Sequence, residues 1–79
     1  NTVLSHLVRH SDPLVREALA AHSQMPEADL ATLALDESEA VRRVVAANQH
    51  TPIPSLEILA RDFSPHVREA AQSTLSLRR

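Results

Sequence analysis

Residues 41–70 read VRRVVAANQHTPIPSLEILARDFSPHVREA, and the dipeptide Val-Arg stands at the start and near the end of this segment. The same dipeptide occupies positions 15–16, 41–42 and 67–68, so it recurs at a constant interval. Shifting the chain by this interval also aligns apolar residues with one another, which indicates an internal repeat. The aligned triplets are Leu4, Leu30 and Leu56; Leu7, Leu33 and Leu59; Val8, Ala34 and Ala60; Ala18, Val44 and Ala70; and Leu19, Val45 and Ala71.

Each repeat unit contains the start signals of one helix, which we name helix B. A residue that can cap a helix with its side-chain oxygen recurs once in every unit, and proline follows two of the three, at the first helical position. Apolar residues then follow the 3.6-residue period of one helix face. The capping residues are Asp12, Ser38 and Ser64, and helix B is predicted over residues 13–21, 39–47 and 65–74.

A second, shorter helix, helix A, precedes helix B in each unit. In the third unit Thr51 is the candidate cap and Pro52 suits the first helical position. Met25 occupies the same column in the second unit and offers no capping oxygen. Asn48 tolerates the left-handed conformation that usually calls for glycine, so we predict that it ends the preceding helix B. Helix A is expected to reach about Arg9, Leu35 and Arg61, as either α-helix or 3₁₀-helix.

The composition also favours an all-α fold. The 79 residues contain no glycine, no cysteine and one aromatic residue, Phe63, and few strands are built from such a composition. We predict a single domain over residues 1–79, an α-solenoid (superhelix) of about three helical hairpins, with units at about 1–25, 26–51 and 52–77. Because three units are about the minimum for a stable stack, we expect a fragment of a longer array.

An aspartate stands six residues before the repeated arginine in the second and third units, whereas His10 occupies this column in the first. An aspartate between helices A and B can accept backbone N–H groups at the start of helix B, and a guanidinium can bind a carboxylate on each side. A catalytic group has no reason to recur in every repeat unit, so we favour a structural ladder over an acid–base site. The predicted ladder consists of Asp36, Asp62, Arg16, Arg42 and Arg68.

Residues 41–70 resemble the leucine-rich repeat variant family. They share its order of motifs, which is Val-Arg, Ala-Asn, Thr-Pro, paired Leu, Ala-x-Asp and Val-Arg. The resemblance covers the whole chain, and the first unit is the weakest match. It implies a superhelix of alternating α and 3₁₀ helices and brings no catalytic residue with it. The pattern of an aspartate followed, after four residues, by Val-Arg also resembles HEAT repeats. HEAT repeats form a related helical-hairpin solenoid, which differs from the leucine-rich repeat variant superhelix in curvature and helix type.

Five histidines raise the question of a metal site. His6 and His10 are four residues apart, a spacing that can place two imidazoles on one ion, with Asp12 or Glu17 as a third ligand. We favour two exposed histidines at a helix end. No spacing of Ser, His and Asp indicates catalysis, and there is no glycine for a phosphate-binding loop. We therefore predict no catalytic, cofactor-binding or metal-binding residue, no cofactor and no enzymatic activity.

The function predicted from the sequence is protein–protein interaction. Glu17, Arg43 and Glu69 share one outward column of alternating charge, which a partner could match. The alternative is nucleic-acid binding, since six of the eight arginines lie in the second half of the chain. The formal net charge of −2 gives no general attraction to nucleic acid or anionic lipid.

The ends and the hydropathy of the chain give the remaining expectations. The alternative to a longer array is end-to-end self-association through leucines exposed at the ends of the stack. No apolar run approaches the roughly 20 residues of a membrane span, and no signal-peptide pattern opens the chain, so we predict no membrane association and a cytoplasmic location. The end leucines are Leu4, Leu7, Leu75 and Leu77.

Overall fold

The computed structural model describes residues 12–22 and 25–78, which form α-helices joined by short turns, with no strand in these ranges. The prediction of an all-α fold is therefore confirmed. The helices are α1 (Pro13–Ala20), α2 (Glu27–Leu33), α3 (Glu39–Ala47), α4 (Ile53–Leu59) and α5 (Pro65–Arg78).

Three of these helices, α1, α3 and α5, begin where helix B was predicted to begin. The bounds of α1 and α3 agree with the prediction to within one residue, whereas α5 continues to Arg78. The sequence Leu-Ser-Leu-Arg at positions 75–78 contains neither the proline nor the glycine that usually ends a helix, so nothing local stops α5 at the predicted residue.

The two short helices differ from the prediction in their ends and their type. Both α2 and α4 are α-helices of seven residues, so the 3₁₀ alternative is not found in the described part of the chain. Pro52 holds the cap position of α4, and Thr51 does not cap that helix. Instead, the buried Thr51 hydroxyl donates to the carbonyl oxygen of Val45 at 2.8 Å, which binds the turn to the end of α3.

The helices form two layers. In one layer α3 lies between α1 and α5 and contacts both. The short helices form the other layer, in which α2 packs against α1 and α3, and α4 packs against α3 and α5. Each short helix thus covers the seam between two long helices, where an apolar stripe from each can be buried.

The core follows the columns of the repeat. Leu30 and Leu56 are fully buried, as is the next pair of aligned leucines, and the valine before each ladder arginine in α3 and α5 has no exposed surface. Each fully buried aliphatic side chain contributes about 1.5–3 kcal/mol through burial. The largest fully buried aliphatic residues are Leu30, Leu33, Leu56, Leu59, Val41, Val45 and Val67.

One expectation about the chain ends is wrong. Leu75 is buried, because it lies on the face of α5 that also carries the buried residues Val67 and Ala71. Leu77 is exposed, as expected, and Leu4 and Leu7 lie outside the described residues. None of the described helices is long and apolar enough to cross a membrane.

Two leucines of the second unit test this account of the core. Leu30 is completely buried, whereas Leu35 is 72% exposed. We expect Leu30→Ala to lower the free energy of unfolding by about 2–5 kcal/mol, because the substitution loses buried area and leaves a cavity. The control Leu35→Ala should change it by less than about 0.5 kcal/mol. Urea unfolding followed by circular dichroism measures both, and equal losses would contradict the assignment of the core.

Candidate functional site

The first candidate site is a row of arginine–aspartate contacts between the long helices. The Arg16 guanidinium in α1 binds the carboxylate of Asp36 with two hydrogen bonds, 2.7 Å from Nε to Oδ1 and 3.3 Å from Nη2 to Oδ2. Arg42 in α3 binds Asp62 in the same way, at 2.8 and 3.3 Å. Each arginine thus contacts the turn that precedes the next long helix. Parallel N–H···O bonds of this kind fix direction as well as distance.

The aspartates are themselves held in place by their own turns. Oδ2 of Asp36 accepts the backbone N–H of Ser38 at 2.9 Å, and Oδ2 of Asp62 accepts that of Ser64 at the same distance. This hydrogen bond fixes the orientation of the carboxylate independently of the arginine. The local turn therefore orients the aspartate acceptor, and helix packing brings the arginine donor within range.

Arg42 and Arg68 also bind their own turns through main-chain carbonyl groups. Nη1 of Arg42 donates to the carbonyl oxygens of Asp36 and Glu37, at 2.8 and 3.1 Å. Nη1 of Arg68 donates to those of Asp62 and Phe63, at 2.7 and 3.0 Å. The contacts thus differ from a ladder in which an arginine binds an aspartate side chain on either side. One side is a carboxylate and the other is backbone, because each aspartate side chain is directed to the preceding arginine.

The ion pairs of this row are largely removed from water. The side chains of Arg16, Asp36 and Asp62 are each 11% exposed, and that of Arg42 is 18% exposed. Burial raises the pKa of the Asp62 carboxyl, but the hydrogen bonds from Arg42 and from the Ser64 N–H, with the charges of Arg42 and Arg68, outweigh burial. The net result is a pKa below the ordinary value.

The predicted caps at the starts of the long helices act in different ways. Oδ1 of Asp12 accepts the Leu14 N–H at 2.9 Å and caps α1. Ser38 holds the cap position of α3, as predicted, but its side chain makes no capping bond to that helix. Oγ of Ser64 accepts the Val67 N–H at 3.5 Å, a weak contact, and the same hydroxyl donates to the carboxylate of Glu39 at the start of α3.

A second row of contacts joins the other ends of the long helices. Nδ2 of Asn48 donates to the carbonyl oxygen of Ala20 at 2.9 Å. Thr74, which holds the same repeat column one unit later, brings its hydroxyl within 2.6 Å of the carbonyl oxygen of Ala46, at the end of α3. Both bonds reach back 28 residues to the carboxyl-terminal end of the preceding long helix, where carbonyl groups lack helical partners.

This second row was not predicted, and the prediction for Asn48 is wrong in its mechanism. Asn48 follows α3 with φ −82° and ψ 121°, an extended conformation, and no described residue has a positive φ. Its Oδ1 accepts the His50 N–H at 2.8 Å. The Asn48 side chain therefore stabilises the turn after α3 and also binds the end of α1. The signal available in the sequence was the alignment of Asn48 with Thr74, two hydrogen-bonding residues in one repeat column.

The histidines of the metal hypothesis, His6 and His10, lie outside the described residues. Among residues 12–22 and 25–78, no group of three or more His, Cys, Asp or Glu side chains could hold a metal ion. Every buried side-chain nitrogen or oxygen in this part has a hydrogen-bond partner. The two polar rows can therefore position helices, and they present no unpaired buried group to a substrate.

A pH titration tests the row of ion pairs through Asp62. Because the folded pKa lies below the unfolded value of about 3.9, the stability contributed by this carboxylate is complete above that pH and is lost as the pH falls through the folded pKa. We expect Asp62→Asn to reduce stability at pH 7 and to reduce the further loss below about pH 4. Urea unfolding between pH 7 and pH 3 measures this. The exposed Glu69→Gln is the control, and equal pH profiles for Asp62→Asn and the native chain would contradict the role of Asp62.

A substitution at Asn48 tests the second row. We expect Asn48→Ala to lower the free energy of unfolding by about 1–3 kcal/mol, because it leaves the carbonyl group of Ala20 without this donor. The neighbouring Gln49 is exposed, and Gln49→Ala should change stability by less than about 0.5 kcal/mol. Thermal or urea unfolding compares the two variants, and matching effects would show that the contact to Ala20 contributes nothing specific.

Comparison with known proteins identified no family for this chain: no protein-family model, no curated protein and no solved structure matches it.

Proposed function

We propose that this chain is a non-catalytic scaffold that binds a protein partner, built as an α-solenoid of about three helical hairpins of the leucine-rich repeat variant or HEAT type. The observation that carries the proposal is the repetition of inter-helix contacts: Arg16–Asp36 recurs as Arg42–Asp62, and the bond from Asn48 recurs from Thr74. Equal contacts at equal intervals are typical of stacked repeat units, which present extended binding surfaces.

The binding surface in this proposal is the solvent-exposed side of α1, α3 and α5, which we name the outer face. A shallow groove runs over it between α1 and α3. One part is lined by Leu14, Glu17, Ala18, Ala21 and Val44. The groove continues along the end of α3 to Asn48, Gln49 and His50, with Ala21 and Val44 common to both parts. Small side chains on this face allow a partner to approach the helices closely.

Charge on the outer face supplies specificity. Glu17, Arg43 and Glu69 hold the same column in the three long helices, and Arg43 and Glu69 are exposed. Packed helices lie about 8–10 Å apart, so the sign of the charge alternates at about that interval across the face. A partner that presents basic, acidic and basic groups at this spacing, with an apolar side chain over the Leu14–Val44 groove, would complement it.

The use of the arginines weighs against nucleic-acid binding. Arg16, Arg42 and Arg68 bind the turns between helices, through the contacts of the first row. Arg43 is exposed but stands in a column with two glutamates, so it does not begin a basic stripe on the outer face. We propose the cytoplasm as the place where this scaffold acts.

Charge reversal on the outer face tests the proposed function. We expect Arg43→Glu to weaken binding of the protein partner by about tenfold or more, because like charges would face each other across the interface. Arg61 is exposed at the end of α4, away from the outer face, and Arg61→Glu makes the same change of charge as a control. Quantitative crosslinking mass spectrometry in cell extract compares the recovered partners of the three proteins.

Two results of that experiment would contradict the proposal. One is a partner recovered equally by the native chain and Arg43→Glu. The other is salt-dependent binding to duplex DNA or heparin that Arg43→Glu abolishes, since this would assign the outer face to a polyanion. Circular dichroism of each variant shows whether the fold is retained.

A further inference from the structure

Phe63 is the only aromatic residue of the sequence, and it does not belong to the core. It lies in the turn between α4 and α5 and is 99% exposed, although phenylalanine is usually buried in folded proteins. The turn itself is fixed. Nη1 of Arg68 donates to the carbonyl oxygen of Phe63 at 3.0 Å, and Oδ2 of Asp62 accepts the Ser64 N–H at 2.9 Å. A well-held main chain therefore presents the aromatic ring to solvent.

Glu37 holds the same repeat column one unit earlier, in the turn between α2 and α3, and it is exposed as well. Its carbonyl oxygen accepts a hydrogen bond from Nη1 of Arg42 at 3.1 Å. Nε of the same guanidinium donates to Asp62, the residue before Phe63, at 2.8 Å. Because one arginine bridges the two turns, Glu37 and Phe63 lie side by side on one edge of the molecule.

The exposure of this edge does not depend on which units lie beside it. The second unit packs against helices of the first and the third, and yet Glu37 and Leu35 in its turn are exposed, Leu35 by 72%. The turns between short and long helices therefore project beyond the packed helices. We name Leu35, Glu37 and Phe63 the turn patch. None of these three residues belongs to the long helices of the outer face.

We infer that the turn patch binds an arginine side chain of the protein partner, with the guanidinium plane against the Phe63 ring and its N–H groups on the Glu37 carboxylate. This rests on the proposed function and deepens it, because it specifies a second contact that the partner supplies. A guanidinium group stacks on aromatic rings and forms two parallel hydrogen bonds with a carboxylate, whereas an ammonium group acts as a point charge. The aliphatic part of the arginine side chain can cover Leu35.

The carboxylate decides between arginine and the other groups that could cover this patch. An apolar pocket of a partner would suit Phe63, but it would remove water from Glu37 without replacing the lost hydrogen bonds. An acidic group would be repelled by the same carboxylate. Arg61 is also exposed close to Phe63 in the sequence, so the patch has little net charge at longer range. Only direct pairing with Glu37 therefore favours a cation here.

The test follows the ring of Phe63, which gives unambiguous aromatic ¹H–¹³C resonances because the chain has no other phenylalanine. The whole chain is titrated with the capped peptide Gly-Ser-Arg-Ser-Gly and with a matched peptide that carries citrulline in place of arginine. Citrulline keeps the shape of the side chain and lacks its charge. We expect the arginine peptide to shift the ring resonances and to bind about tenfold more tightly, through one cation–π contact and one exposed ion pair.

Variants of the chain assign the preference for arginine to the turn patch. Phe63→Leu keeps an apolar side chain without the ring, and Glu37→Gln removes the charge of the carboxylate. Each variant should lose most of the preference for the arginine peptide, whereas Glu69→Gln on the outer face should retain it. Because Phe63, Glu37 and Glu69 are all exposed, circular dichroism should show the same fold in the three variants.

Four results would overturn the inference. Three of them are equal affinity for the two peptides, no shift with either peptide, and a preference that survives both Phe63→Leu and Glu37→Gln. The fourth is a concentration-dependent shift of the Phe63 ring in the chain alone, which would assign the patch to a second copy. The peptides test the turn patch without the partner, and Arg43→Glu tests the outer face, so the two proposals fail separately.

Discussion

The bidentate contact between an arginine of one long helix and the aspartate before the next is the constraint on which the helix arrangement depends. Burial of leucine, valine and alanine holds the layers together, but it is non-directional and would tolerate one helix sliding along another. Arg42 removes that freedom, since it binds two carbonyl groups of its own turn and the carboxylate of Asp62 in the next. Because the Ser64 N–H fixes that carboxylate, both partners of the contact have defined positions.

The parts of the fold that could be predicted from the sequence are those with local causes. The positions of α1, α3 and α5 follow from proline or a capping residue before a 3.6-residue apolar period, and these signals act within one turn. The buried columns that contain Leu30 and Val41 could be predicted because a residue that recurs at a fixed interval faces the same neighbour in each unit. The pairing of Arg42 with an aspartate of the ladder follows from the same periodicity, but the second carboxylate predicted on its other side is replaced by backbone carbonyl groups.

The parts that could not be predicted depend on contacts that the local helix signals do not specify. Asn48 and Thr51 were assigned to caps, the commonest local role for such residues at helix ends. The Asn48 side chain instead reaches the carbonyl group of Ala20, which only the packing of the helices brings within range. The Thr51 hydroxyl reaches back six residues to the carbonyl group of Val45. Leu75 was expected to be exposed at the end of the stack, beyond the predicted end of helix B. It is buried because α5 continues without a break to Arg78. For Asn48, a tertiary contact thus replaced the cap that local preference favours.

The distribution of hydrogen bonds between the two layers has a mechanical consequence. The long helices are joined near both ends, by Arg42 to Asp62 at one end and by Thr74 to Ala46 at the other. The short helices α2 and α4 pack chiefly against the long helices. Under tension the long-helix layer is therefore the stiff side and the short-helix layer the compliant one. We therefore expect bending to widen the gap between α2 and α4 while α1, α3 and α5 keep their contacts.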